Sequence, residues 1–335
     1  MRKLGLFLFG VAISFAFILF GGFQSFTANA DTPTVYIGGM SAGFTLQAGN
    51  PQIVGLCEVV TEEGVYSPAL KSGLKTGDKI EQINGNTIET IEKLNKTVNS
   101  SDGKQLELQI NRKNETFSVK LTPAKDKITG KYKIGVLVRD SVSGIGTVTF
   151  INPKNGKFGA LGHSVSMANK QLKIAGGEVY SCSIVGVNKG VRGRAGELKG
   201  LFINDKLMGT AEKLSSCGIF GTINRDFDKT GLICAVADSS SATPGNACIY
   251  STINGVKPEK YEIEIVKVDK NNKSNKNFVV KITDERLLSE TGGIVQGMSG
   301  SPIVQNGKLI GAITHVFLND PTRGYGIDIQ TMLNE

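Results

Sequence analysis

Gly293-Ile294-Val295-Gln296-Gly297-Met298-Ser299-Gly300-Ser301-Pro302-Ile303-Val304, continued beyond an Asn306-Gly307 pair by Leu309-Ile310-Gly311-Ala312-Ile313, is the stretch on which the reading of this chain turns. The apolar runs are short, as buried strands are, and Asn-Gly is a hairpin turn signal. Between them, a serine flanked by glycines and just ahead of a proline suits a sharply turned loop facing a ligand, because glycine reaches positive φ and lets a backbone come close. Ser299 is therefore a candidate nucleophile, and the amides of Gly297 and Ser299 are candidates to stabilise a developing oxyanion. A strand, loop and hairpin suit a β-barrel hydrolase, whereas a strand-to-helix nucleophile elbow needs a different glycine spacing. A Gly/Ser turn with no chemistry competes on equal terms until the rest of the chain is read.

The chain has 335 residues, 40% of them hydrophobic, with 42 glycines and no tryptophan. That is room for two domains, and many short Val/Ile runs between tight turns point to mainly β architecture. The net charge is +8, but the lysines are scattered without interleaved aromatics, which argues against a nucleic-acid partner and leaves an anionic membrane surface easier to credit. Met1-Arg2-Lys3 precedes an apolar run from Leu4 to Phe23, and Ala28-Asn29-Ala30 fits signal-peptidase cleavage before Asp31. Residues 1–30 are expected to be a signal peptide or membrane anchor, with the remainder exported. Five cysteines without C-x-x-C, and two histidines without H-E-x-x-H, imply no metal and no cofactor.

Residues 33–124 read as a small α/β domain. Ser67-Pro68-Ala69-Leu70-Lys71-Ser72-Gly73-Leu74 gives a helix start and a glycine stop, followed by a turn, a strand and an Asn84-Gly85 hairpin. With a helix from about Ile88 to Val98, the order resembles a bacterial PDZ domain. The resemblance implies that an extended peptide adds to a sheet edge beside that helix. The glycine-rich run holding Gly38, Gly39, Ser41, Ala42, Gly43 and Phe44 is expected to receive that peptide or its carboxylate. A polar hinge from Pro123 to Lys131 ends the domain. From 130 to 335 the strand pattern continues without an amphipathic helix of ten residues, as a two-barrel or sandwich arrangement would.

A serine hydroxyl needs a base. His163 follows an apolar strand in Phe158-Gly159-Ala160-Leu161-Gly162-His163, whereas His315 sits in the hairpin after the serine and reads as a wall residue. In a chymotrypsin-type double β-barrel the base comes from the first barrel and the nucleophile from the second, which suits His163 and Ser299. Among Asp238, Asp284, Asp320 and Asp328, the carboxylate at Asp284 ends a strand shortly before Ser299 and holds a modest lead as the imidazole's partner.

The stretches "FGALGHSVS", "KITDERLLSETGGIVQGMSGSPIVQNGKLIGAITHVFLNDPTRGYG" and "GGMSAGFTL" resemble the SpoIVB peptidases, sporulation proteins with an N-terminal membrane segment, a PDZ domain and a serine peptidase domain. The resemblance places the catalytic set on His163, Asp284 and Ser299. It implies an exported endopeptidase working between the forespore and mother-cell membranes. There it would cleave itself and a membrane-associated regulator so that a late sigma factor is activated, and its PDZ ligand could be its own N-terminal region. Ser164-Val165-Ser166 departs from the pattern, lacking the acidic residue expected after the histidine. An inactive exported PDZ scaffold is the alternative.

Overall fold

A computed structural model describes residues 33–167, 170–171, 176–224 and 232–335; the expected leader at 1–30 lies outside the described residues. Strand β1 (Thr34–Ile37) leads into β2 (Ser41–Leu56). The small domain follows as α1 (Pro68–Lys71), β3 (Lys79–Ile83), α2 (Ile91–Asn99), β4 (Leu106–Arg112) and β5 (Glu115–Leu121), and the chain returns as β6 (Val136–Ile151).

β2 and β6 form one antiparallel ribbon that serves two bodies. Ser41 to Gln47 pair with Thr147 to Ser141, and Gln52 to Leu56 pair with Arg139 to Val136, with the register shifting between Arg139 and Ser141 and between Leu137 and Val138. Such bulges bend and twist a ribbon, which lets its two ends face different cores. One end joins a core of Ile53, Ile80, Ile83, Leu108 and Ile110 covered by Leu94 and Val98 of α2. Those two residues lie one turn apart on a helix capped by Thr90, so α2 buries a narrow stripe. A two-pronged Arg112–Asp78 pair, at 2.6 and 2.8 Å, closes this domain. Burial pushes the Asp78 carboxyl up, but Arg112 and the Lys75 amide outweigh it and hold it below the usual range.

The other end of the ribbon enters a barrel with β7 (Lys157–Ala160), β8 (Gly176–Asn188), β9 (Glu197–Ser215) and β10 (Gly218–Ile223). Pairing runs β2–β6–β7–β10–β9–β8 and back to β2, so six strands close on themselves and bury Phe44, Leu46, Val148, Phe158 and Val179. Next come β11 (Ile233–Val236), β12 (Gly245–Ser251), β13 (Glu259–Val268), β14 (Phe278–Ile282), α3 (Glu285–Thr291), β15 (Pro302–Gln305), β16 (Lys308–Phe317) and β17 (Asp320–Asp328). Their ring is β12–β13–β14–β17–β16–β15 and back to β12. Alternation is clear in β13, where Tyr261, Ile263 and Ile265 are buried while Glu262 and Glu264 face out. Closure removes the exposed edges that open sheets must protect. β1 and β11 stitch the barrels together, with β1 pairing β6 and β11, and β11 running parallel to β16.

Two expectations change here. The boundary at 33 fails because β1 and the first half of β2 belong to the barrels, while Ile134, Val136 and Val138 pack on the small-domain core beyond 124. The run from Gly38 to Phe44 is not a peptide-receiving loop. The amides of Gly38 and Gly39 donate to Thr149 O and Val148 O at 3.0 and 2.8 Å, Ser41 donates to Thr252 O, and Ala42 and Phe44 lie in the barrel core. Its glycines serve close packing instead: a Cβ on Gly43 would stand 2.6 Å from the Phe202 ring.

Candidate active site

The loop between α3 and β15 is held by its carbonyls. Gln296 O accepts from Leu198 N, Gly297 O from the Thr147 hydroxyl at 2.7 Å, Met298 O from Ser301, Ser299 O from Thr147 N at 3.0 Å, and Gly300 O from the Thr149 hydroxyl at 2.8 Å. Among the amides from 296 to 301, those of Gln296, Met298, Gly300 and Ser301 donate to Gly196 O, Val295 O, Ile313 O and Met298 O. Only the amides of Gly297 and Ser299 have no acceptor among the described residues, and these are the two expected to stabilise an oxyanion. Gly300 needs to be glycine: its φ is +95° and a Cβ would lie 2.1 Å from Thr147 O.

Ser299 lines a cavity of about 520 Å³ together with His163 and His315. Leu46, Val142, Ile145, Ile294 and Val316 form much of the remaining wall, which among the described residues carries no Asp, Glu, Lys or Arg. His163 is presented by a tight turn in which Leu161 and Gly162 have φ of +69° and +72°. Leu161 accepts this strained region of φ/ψ space because its side chain is buried in the first barrel and its amide donates to Thr147 O. The His163 Nδ1 donates to the Ser164 carbonyl at 2.9 Å. A carbonyl can only accept, so the proton sits on Nδ1 and the Nε2 lone pair is left for a base's work. Burial lowers the pKa of this imidazole, and the Ser164 bond offsets part of that.

His315, expected as a wall residue, stands with its ring 4.8 Å from that of His163, tilted by 42°. Desolvation against its neighbours, then charge on His163 and Lys276, pushes its pKa down to about 4, although the side chain keeps an exposed face. The Ser299 hydroxyl donates to Thr314 O at 2.8 Å, a bond to neither imidazole.

Asp284 is not brought to this site. It caps α3, with Oδ1 accepting from Arg286 N and Leu287 N and Oδ2 accepting from Glu262 N and the Arg286 guanidinium. Burial raises its pKa, but Arg286 and these amides outweigh it and keep it below the usual range. Its oxygens are committed there, and the His163 Nδ1 that a triad carboxylate would hold is taken by Ser164. Asp320 accepts from Thr322 and pairs with Arg323, Asp328 caps the C-terminal helix Ile329–Leu333, and neither these nor Asp238 lines the cavity. Thr147 and Thr149 escaped the sequence reading; their one trace is a hydroxyl at alternate positions of the otherwise apolar Gly146-Thr147-Val148-Thr149-Phe150.

Comparison with known proteins matches the family model for SpoIVB peptidase S55 to residues 130–333, and a PDZ domain model to residues 53–122. A Lactococcus lactis protein whose name assigns it provisionally to the zinc metalloproteases, LL2128, is 34% identical over 71 residues, covering 21% of this chain and 16% of its own. The chain thus spans about a sixth of that curated relative's length, 16%. Among solved structures, the inactive form of the M. tuberculosis protease Rv3671c is 14% identical with a TM-score of 0.33, covering 57% of this chain and 81% of its own. Human heparin binding protein is 13% identical with a TM-score of 0.27, covering 53% and 75%.

Proposed function

Because the chain belongs to the SpoIVB peptidase S55 family, we propose that it is an exported serine endopeptidase in which Ser299 is the nucleophile and His163 the base. The observation that carries this reading is the pair of uncommitted amides, Gly297 and Ser299, around a serine that shares a cavity with an imidazole protonated on Nδ1. Substrate binding turns the Ser299 hydroxyl from Thr314 O toward His163. His163 Nε2 then takes the proton as Oγ attacks the peptide carbonyl, and the two amides receive the oxyanion. The imidazolium protonates the leaving amine, and water attacking the acyl-enzyme returns Ser299. The Ser164 carbonyl keeps the tautomer that a carboxylate keeps in a triad.

The substrate is a protein in or near a membrane, and self-cleavage and sporulation signalling through a late sigma factor follow from the family resemblance. A peptide ligand, including the chain's own N-terminal region, is assigned to the edge of β6 facing α2. Gly135 O accepts from Cys57 N, so Val136 and Val138 turn their backbone groups to the opposite edge, beside the helix whose Ile91 amide donates to Asp140. The second reading, an inactive scaffold, draws on the Ser299–Thr314 bond and on the absence of a carboxylate at His163 among the described residues. Labelling with a fluorophosphonate separates the two, since a scaffold has no activated serine. Mass spectrometry of wild-type and Ser299→Ala protein tests self-cleavage and leader removal together.

A further inference from the structure

We propose that Thr147 is a positioning residue that sets the nucleophile against its base; the inference rests on the peptidase reading above. Each of its three polar groups goes to a different part of the site. Its amide donates to Ser299 O at 3.0 Å, its hydroxyl donates to Gly297 O at 2.7 Å, and its carbonyl accepts from Leu161 N at 3.2 Å. The first two hold the nucleophile loop, and the third holds the strained turn that presents His163. One buried residue of β6 thereby ties the serine from one barrel to the imidazole from the other.

The hydroxyl has a role that strand formation alone does not ask for. Gly297 has φ +99°, and a glycine peptide turns over easily unless something holds it. A bond from the Thr147 hydroxyl fixes the Gly297 carbonyl on a buried partner and keeps the Gly297–Ser299 backbone in the conformation whose two amides are free to donate. The site is fully buried at Thr147, so no water replaces that bond when the hydroxyl is removed. Thr149 repeats the device one step along, on Gly300 O.

Thr147→Val keeps the shape and deletes the hydroxyl, while Thr147→Ser keeps the hydroxyl. In Thr147→Val, kcat per folded molecule is expected to fall about ten- to hundredfold with KM within about twofold, the pattern of lost transition-state binding. Thr147→Ser should recover kcat to within about threefold of wild type. A merely structural threonine would lower the melting temperature and leave kcat per folded molecule unchanged, which would overturn the inference. Should the valine variant not fold, Thr147→Ala makes the same comparison with less crowding. NMR supplies a readout that needs no turnover: the Gly297 and Ser299 amide signals should move in the valine variant, which loses the hydroxyl's bond to Gly297 O, and return in the serine variant. Stationary Gly297 and Ser299 amide signals would overturn the inference. Wild-type protein that neither hydrolyses peptides nor labels with a fluorophosphonate would instead refute the peptidase reading, and the NMR comparison would still decide on Thr147.

Discussion

The hydroxyl of Ser299 and the carbonyl of Thr314 are hydrogen-bonded at 2.8 Å, so the serine's proton is directed at backbone one residue before His315 and not at an imidazole. This is a parked rotamer: one χ1 turn of an unbranched side chain releases it, at the cost of one bond of about 1 kcal/mol. Ser299→Ala should therefore abolish peptide hydrolysis and change stability by no more than about 1–1.5 kcal/mol, as read by activity and by denaturant unfolding. A crystal structure of a covalent adduct should show Oγ withdrawn from Thr314 O.

The pH dependence follows from the two rings. A base must be neutral, and burial lowers the His163 pKa, so kcat/KM should hold at pH values below the ordinary imidazole value of about 6.5 before its acid limb falls. An acid limb centred above pH 7 would contradict this. Stability has the same sign: as pH drops from about 6.5 to about 4, the unfolded chain binds a proton at residue 315 that the folded one resists, so stability falls across that window. His315→Phe should flatten that part of the stability curve, measured by melting temperature against pH.

Asp284 separates the geometry from the family analogy. Asparagine caps a helix about as well as aspartate, so Asp284→Asn should keep α3 and cost little stability, chiefly through the Arg286 pair, whose guanidinium is open to water. If Asp284 acts only as a cap, kcat should drop less than about tenfold; a triad carboxylate lost to asparagine costs about 10⁴. Steady-state kinetics of this one variant tells the two apart.

Gly300→Ala should disable the site through backbone. At φ +95° with Thr147 O where the methyl would go, the loop must move. The expected outcome is loss of labelling at Ser299 together with a stability loss of about 1–3 kcal/mol, seen in unfolding curves.

The loop of the candidate site was legible because its geometry is local in sequence. Gly297, Ser299 and Gly300 form one loop, and the amides that sequence singled out are the two from 296 to 301 without an acceptor among the described residues. The mainly β character could also be read, from runs such as Ile303-Val304 and Leu309 to Ile313, which lie in β15 and β16. What could not be read depends on distant pairing. Nothing local in Ser41–Leu56 tells that one strand serves two cores, since its partner β6 lies beyond the whole small domain. The glycines at 38, 39 and 43 looked like an anion-receiving loop because close backbone packing and ligand approach demand the same residue. Asp284 misled for a different reason: an aspartate at a strand end ahead of Glu285-Arg286-Leu287 is also a helix N-cap signature, and the structure uses it as one.

The most direct measurement is intact-protein and peptide mass spectrometry of the purified protein after exposure to a fluorophosphonate. The account predicts one adduct, on Ser299, that disappears in Ser299→Ala and is strongly reduced in His163→Ala. Unmodified wild-type protein, or labelling that survives the loss of His163 undiminished, would contradict it.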